Sequence, residues 1–272
     1  MKLIQPDYEI IQQGYTLEDV YKHIERVART CYKSEDLITD DSAHPFVERL
    51  IKAGHLAMLE HGTVYLKENA DCYDNPLEKY CDNKYSIVTP HGYYYYVTTN
   101  LRVIIENGWE TDLQYICEPT KHHVRRVTVK FTCDQGVMRE FTRHRAFSFA
   151  VESTRFCNYS KGKFGGELTF IRPCWFFSTA SKRSKMLFRL ACRASEKIYL
   201  SLLKQGWTPE KARNVLPLAT KCEMVMTGFT GDWEHFFNLR AHGTTGKPHP
   251  QAVELAFPLY YEFQQLGYET KN

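Results

Sequence analysis

From Val127 to Cys133 the chain alternates without a break, with Val127, Val129, Phe131 and Cys133 on one side and Thr128, Lys130 and Thr132 on the other. A period of two sends successive side chains to opposite faces, so this segment is a strand with one buried face. A chain that carries such a strand needs a sheet and an apolar layer to cover it. The cover is written at the helical period. Thr16 can cap a helix with Asp19 at the capping-box position, and Leu17, Val20, Tyr21, Ile24 and Val27 follow at helical spacing. Met186, Leu187, Leu190, Ala194 and Ile198 make an apolar stripe on a helix over 181–204, which Gly206 ends. Further helices are expected over 45–53 (Phe46, Leu50 and Ile51 inward, Gly54 as the stop), 101–107, 136–145 and 250–266. Thr208, Pro209 and Glu210 open another with a cap and an N1 proline, and Asp232 caps one that runs to Arg240. Strands are expected near Thr63, from Tyr93 through Val97 and the two threonines after it, and over 223–229. Helices and strands mix without regular alternation. The expected class is therefore α+β, a mixed or antiparallel sheet flanked by helices, in one large domain over 1–272.

Several classes fall away on composition. No run approaches the ~18 apolar residues of a membrane span. The start carries Asp7 and Glu9 where a signal peptide needs an apolar stretch, so a soluble, cytoplasmic protein without a membrane partner is expected. The nine cysteines (31, 72, 81, 117, 133, 157, 174, 192 and 222) are odd in number and irregularly spaced, with no C-x-x-C. Neither a disulfide framework nor a metal site is expected from them.

Charge is concentrated. Residues 121–190 hold 15 Lys/Arg against four Asp/Glu, a net +11, while the remainder nets −8. Within this stretch, 139–160 places Arg139, Arg143, His144, Arg145 and Arg155 among Phe141, Phe147, Phe149 and Phe156, with Glu152, Ser153 and Asn158 close by. Guanidinium forks bind two phosphate or carboxylate oxygens at once, and aromatic neighbours limit the water that screens them. The pattern fits an anion site for a nucleotide-like ligand as well as a solvated basic face. No G-x-G-x-x-G, Walker or G-x-S-x-G loop occurs, and the run GTTGK at 243–247 is too short and is followed by Pro248.

RHRAFSFAVES at 143–153, followed by Arg155, resembles the signature of the flavin-dependent thymidylate synthases. ARTCY (28–32) and EHGTV (60–64) resemble that family's two earlier flavin-side segments, and ARNVLPL (212–218) and HFFNLRA (235–241) its two later nucleotide-side segments. All five stand in the family's order. The resemblance implies a homotetramer with active sites shared between chains, holding FAD, dUMP and a folate, with NADPH supplying electrons. The methylene of methylenetetrahydrofolate goes to C5 of the uracil and is reduced there to methyl. Carried over by position, Cys31, His61, Thr63, Arg143, His144, Arg145 and His235 contact FAD. Arg139, Glu140, Glu152, Ser153, Arg155 and Arg213 bind dUMP, and Arg240 stabilises the uracil ring with N3 deprotonated. A fixed cation suits that task, because removing the N3 proton drives electron density toward C5. The flavin carries the hydride chemistry, so no catalytic triad is required.

Without the resemblance, His61 and His235 read as satisfied core histidines, Arg240 as an arginine snorkelling from an apolar helix face, and Arg213 as a solvated charge. Ser153 has no base beside it and is read as a substrate contact; His122 and His123 are read as surface residues. Five positions depart from the family's habit. Ala150 and Val151 stand where Asn and then Glu or Gln are common, and Phe229 and Gly231 where an Asn-x-Arg flavin contact is common; Phe156 also replaces a usual Tyr. The span between His61 and Arg143 is long, and 67–121 is read as an inserted strand–helix element covering a subunit edge or the flavin entrance. Two rival readings follow. The same scaffold could hydroxymethylate dUMP or act on dCMP, or the +11 stretch could serve a catalytically silent nucleotide- or RNA-binding module, although no nucleic acid partner is expected.

Overall fold

The computed structural model describes residues 1–69, 75–160, 162 and 165–268. Its strands are β1 (Lys2–Ile4), β2 (Asp7–Ile11), β3 (Thr63–Asn69), β4 (Ile87–His91), β5 (Tyr94–Asn100), β6 (Arg126–Asp134), β7 (Ser148–Val151), β8 (Thr169–Ile171) and β9 (Lys221–Phe229). The helices are α1 (Leu17–Thr30), α2 (Ala43–Lys52), α3 (Leu101–Asn107), α4 (Gln135–Phe141), α5 (Trp175–Ser178), α6 (Lys182–Lys204), α7 (Pro209–Ala212), α8 (Thr230–Phe237) and α9 (Pro250–Gln265). The class is α+β. Among the described residues no helix is long and apolar enough to cross a membrane.

The alternating segment is β6, second in an antiparallel sheet of order β2-β6-β9-β7. Val127, Val129, Phe131 and Cys133 pack with Met224 and Met226 of β9 against Trp233, Phe236 and Phe237 of α8 and Leu255, Leu259 and Phe263 of α9. The Trp233 indole N–H donates to the Val127 carbonyl (3.1 Å), which fixes α8 to the strand. The other face is not open to solvent as expected. Thr128 is buried there and bonds His23 of α1 (3.2 Å), while Ile11, Val27, Ala150 and Val225 close a small apolar cluster. The sheet is thus covered on both sides, because α1 lays His23 and Val27 across the threonine face.

The capping box at Thr16 and Asp19 forms as read, with the Asp19 carboxylate accepting the Thr16 N–H (3.0 Å) and the Thr16 hydroxyl accepting the Asp19 N–H (3.2 Å). The segment 67–121, read as an insertion, supplies β4, β5 and α3, and β4 and β5 join β3 in a second antiparallel sheet of order β3-β5-β4. Its Leu77, Tyr80, Val97, Leu101 and Ile104 share one core with Val20 and Ile24 of α1 and Val47 of α2. It is built into the body of the molecule; its residues 70–74, Cys72 among them, lie outside the described ones. His123 is not a surface residue. It is buried between this sheet and the following loop, its Nδ1 accepting the Thr120 N–H (3.0 Å) and its Nε2 bonding the Leu66 carbonyl (3.0 Å). His122 is half-buried and stacks on His91 (3.9 Å between centroids).

A third unit pairs β1 with β8 in parallel and packs them under α6. The expected stripe of α6 faces out: Met186, Leu187, Leu190 and Ile198 are 60, 52, 61 and 50% exposed. Cys192 and Tyr199 are buried instead, because that row faces Phe170, Tyr159 and Ala212. Other boundaries shift as well. The helix expected over 136–145 ends at Phe141, which leaves the Arg-His-Arg triplet in a turn. Asp232 is the third residue of α8, where its carboxylate accepts the Phe229 N–H (3.1 Å). Thr208 makes no side-chain cap on the single turn of α7.

Candidate functional site

Two buried rings strap the triplet in place. Phe141 at the end of α4 packs on Phe131 and Phe236 (5.1 and 4.9 Å), and Phe147 on Trp233 (4.7 Å), all edge to face. Such pairs add about 0.5–1.5 kcal/mol each beyond area burial. Between the anchors, Arg143 and Arg145 are exposed while His144 turns inward. The strap depends on Gly228: a Cβ there would meet the Phe147 ring at 2.7 Å.

Beyond α8 the helix widens into a π-helical turn, Asn238–His242, closed by Gly243 in the left-handed region (φ 69°). The turn aims Arg240 back at the strap. Its Nη1 donates to Glu140 Oε2 (2.7 Å), Nη2 to the Glu140 carbonyl (2.9 Å) and Nε to His144 Nε2 (3.0 Å). His144 therefore accepts through Nε2 and is neutral. Burial, then the adjacent Arg240 and His235, bring its pKa down to about 4. Arg143, His144, His235 and Arg240 border one cavity of about 320 Å³. Among the described residues no carboxylate lies within ion-pair distance of Arg143 or Arg145.

A separate cavity of about 570 Å³ collects Arg139 from α4, Val151 from β7, Glu152 and Ser153 just after it, and Arg213 following α7. Three segments far apart in sequence meet there. The Ser153 N–H donates to the Cys31 carbonyl (2.9 Å), and its hydroxyl accepts the Arg155 N–H (3.3 Å) in a tight turn, with no histidine or carboxylate among the described residues bonded to it. Cys31, whose thiol pKa is raised chiefly by burial, borders none of these cavities. Arg155 pairs instead with Glu210 (3.1 Å), both exposed, a contact worth little.

Glu152 is engaged inside the fold. It accepts from Tyr159 (3.0 Å), Lys221 (2.9 Å) and the Glu223 N–H (3.1 Å). Glu223 in turn takes Lys221, Lys130 and Lys33 (2.6, 2.7 and 2.8 Å). Burial opposes ionisation of Glu223, but the three ammonium groups outweigh it and hold its carboxyl well below the usual range. This lattice ties β7, β6 and β9 to the segment after α1. The sequence reading missed it, since its members lie on different elements and only pairing brings them together.

His61 is enclosed and bonds Thr227 (2.8 Å), which bonds Thr128 (2.8 Å) and so connects to His23. Thr63 is also buried, its hydroxyl accepting from Arg126 Nη1 (3.3 Å). Arg126, which was not singled out within the basic stretch, enters a third cavity, about 620 Å³, with Glu60, Arg145, Ser148, Phe229 and Lys84 also on its walls. Ala150 points into the apolar cluster with Val27 and Val225, whereas Val151 lines the 570 Å³ cavity. Among the described residues no group of three or more His, Cys, Asp or Glu could hold a metal ion.

Residues 119–265 match the family model described as thymidylate synthase complementing protein. The chain is 27% identical over 140 residues to a flavin-dependent thymidylate synthase of Synechocystis sp., covering 49% of this chain and 65% of that protein. It is 29% identical over 111 residues to a flavin-dependent thymidylate synthase of Pyrococcus abyssi, 40% of this chain and 43% of that one. A probable flavin-dependent thymidylate synthase of Paramecium bursaria Chlorella virus 1 is 24% identical over 164 residues, 53% and 72% of the two chains. The chain thus spans under two thirds of the first two relatives. A solved structure, the UMP/dUMP methylase PolB from Streptomyces cacaoi bound with 5-Br dUMP, aligns over 98% of this chain and 93% of its own at 16% identity and a TM-score of 0.49.

Proposed function

The chain belongs to the thymidylate synthase complementing protein family, and from that premise we propose that it is a flavin-dependent thymidylate synthase, a cytoplasmic enzyme that methylates dUMP to dTMP. Methylenetetrahydrofolate is the carbon donor and NADPH the reductant. The observation that carries the reading is the meeting of Arg139, Ser153 and Arg213 on one 570 Å³ cavity. Two guanidinium groups and a serine turn make a donor set suited to a nucleotide phosphate. Glu152 shapes that wall through the lysine lattice behind it, and Arg155 closes the turn after Ser153.

FAD fits the neighbouring donor set. Arg143 and Arg145 carry no carboxylate partner among the described residues, and His235 shares a cavity with them, so the wall offers cations to a diphosphate. When bound, the flavin supplies the hydride chemistry that completes the methyl group. The chain's own task is positional and electrostatic. Arg240, held on three sides by Glu140 and His144, presents a fixed positive charge for uracil with N3 deprotonated, which enriches C5. No protein nucleophile is needed: Ser153 has no base bonded to it among the described residues, and burial keeps the Cys31 thiol protonated.

Arg240 and Ser153 border different cavities of the chain. That separation supports active sites shared between chains of a homotetramer, as does the exposed apolar row on α6. The whole of 1–272 acts as one domain in this reading. The test is a mass-spectrometric product assay of purified protein with FAD, NADPH, methylenetetrahydrofolate and dUMP, with dCMP alongside. Thymidylate from dUMP alone is the expected result. A hydroxymethylated product, or turnover of dCMP, assigns the scaffold a different chemistry, and no product combined with salt-sensitive oligonucleotide binding replaces the enzyme with a binding module.

A further inference from the structure

Arg126 begins β6 directly opposite Phe229 of β9. Its guanidinium carbon lies 5.4 Å from the Phe229 ring centroid, and Nη1 is fixed by the Thr63 hydroxyl. Its Nε is enclosed and, among the described residues, has no hydrogen-bond partner. Among the described residues no carboxylate pairs with it, in contrast to Arg102 on the same cavity, which Glu60 and Glu106 neutralise (2.5 and 2.8 Å). Arg145 borders the same cavity, also without an acidic partner among the described residues, and Lys84 and Tyr85 form part of the wall. A half-buried guanidinium that the nearby Glu60 and Asp232 influence only at longer range, with one donor unfilled, is costly unless an anion offsets its charge. Burial lowers the Arg126 pKa to about 10, which still leaves it charged at neutral pH.

We propose that Arg126 and Arg145 form a diphosphate-binding subsite for the flavin dinucleotide, with Arg126 supplying from the adjacent strand the cation that Gly231 lacks, a placement that rests on the flavin-dependent reading above. The two departures at 229 and 231 then belong to one exchange. Phe229 gives up an amide but provides the ring against which Arg126 rests, and the arginine moves from the helix start to the opposing strand. The ligand class is a dinucleotide diphosphate, read by two guanidinium forks on one cavity wall.

Fluorescence titration of the full chain with FAD, with riboflavin (the same ring without phosphate) and with NADPH tests this. The unmutated chain is expected to bind FAD at least about tenfold more tightly than riboflavin, and Arg126→Gln to lose about tenfold in FAD affinity while riboflavin affinity stays within about twofold. Adding Gly231→Arg to Arg126→Gln should restore FAD affinity, a rescue that a merely misfolded variant cannot give. Equal FAD affinity with and without Arg126, or a loss confined to NADPH, overturns the assignment. An unmutated chain that binds no FAD at all overturns instead the flavin-dependent reading.

Discussion

Arg240 spends all three of its guanidinium nitrogens on Glu140 and His144, and this is what separates a positioned charge from a snorkelling one. A solvated arginine samples many rotamers; one held at three points presents its charge at a fixed place and loses nothing to reorganisation when a reacting ring arrives. Arg240→Ala is therefore expected to lower kcat by about a hundredfold or more while FAD, read from its absorbance in the purified protein, stays bound. Activity within a few-fold of the unmutated enzyme would remove Arg240 from the role. Val151 and Ala150, adjacent in sequence, have opposite fates: Val151 lines the 570 Å³ cavity, and Ala150 fills an apolar cluster between β7, α1 and β9. Only the first can contact a ligand, so any change of substrate owed to this pair belongs to Val151.

At the level of elements, the turn carrying Arg143 to Ala146 owes its shape to what flanks it. Phe141 and Phe147 are both committed to the α8 aromatic cluster, and the space for Phe147 exists because position 228 has no side chain. Gly228→Ala is expected to cost about 1–3 kcal/mol by overpacking, seen as a lower midpoint in urea, and to reduce retained flavin because the displaced ring carries Arg145 and Ser148 with it. A variant as stable and as yellow as the original would show that the strap tolerates a shift. The long helix α6 poses a different problem: it has two apolar rows and buries only the one through Cys192 and Tyr199. Leu190→Glu on the exposed row is expected to leave the melting temperature of the dilute chain nearly unchanged, yet to lower the mass measured by sedimentation toward that of a single chain. A mass indifferent to this charge would remove α6 from the proposed subunit contact.

Over the whole molecule, buried neutral histidines make stability depend on pH. Burial brings His23 and His61 to about 3, and His144 stands at about 4, all below the unfolded value of 6.5. Between those limits the unfolded chain binds protons that the folded chain refuses. Stability is therefore complete above about pH 6.5 and drains as pH falls, with a limiting slope of about 1.4 kcal/mol per pH unit for each histidine. Urea titrations at pH 7.5, 6 and 5 should show midpoints falling in that order; a flat response would mean that the relay from His23 through Thr128 and Thr227 to His61 accepts a proton without opening. The same relay joins α1, the central sheet and the segment before β3, so acid loosens the contacts among all three together.

What the sequence determined by itself was local. The period-two run of β6, the capped stripe of α1, the glycine stops after α2 and α6 and the extent of α3 all follow from neighbours within a few residues of one another, and they come out as read. The five motif segments and their order were legible for the same reason, and they identified the family. Short strands such as β1, β2, β4, β7 and β8 were not, because three to five residues carry too little periodicity and form only when a distant partner supplies the hydrogen bonds. Tertiary structure alone decided which row of α6 is buried, that Glu152 would be spent on Lys221, that Arg139 and Arg213 would share a cavity while Arg240 bordered another, and that Arg126 would stand behind Phe229. Each of these depends on pairing and packing between segments tens of residues apart, which set the distances between charges that a linear pattern leaves open.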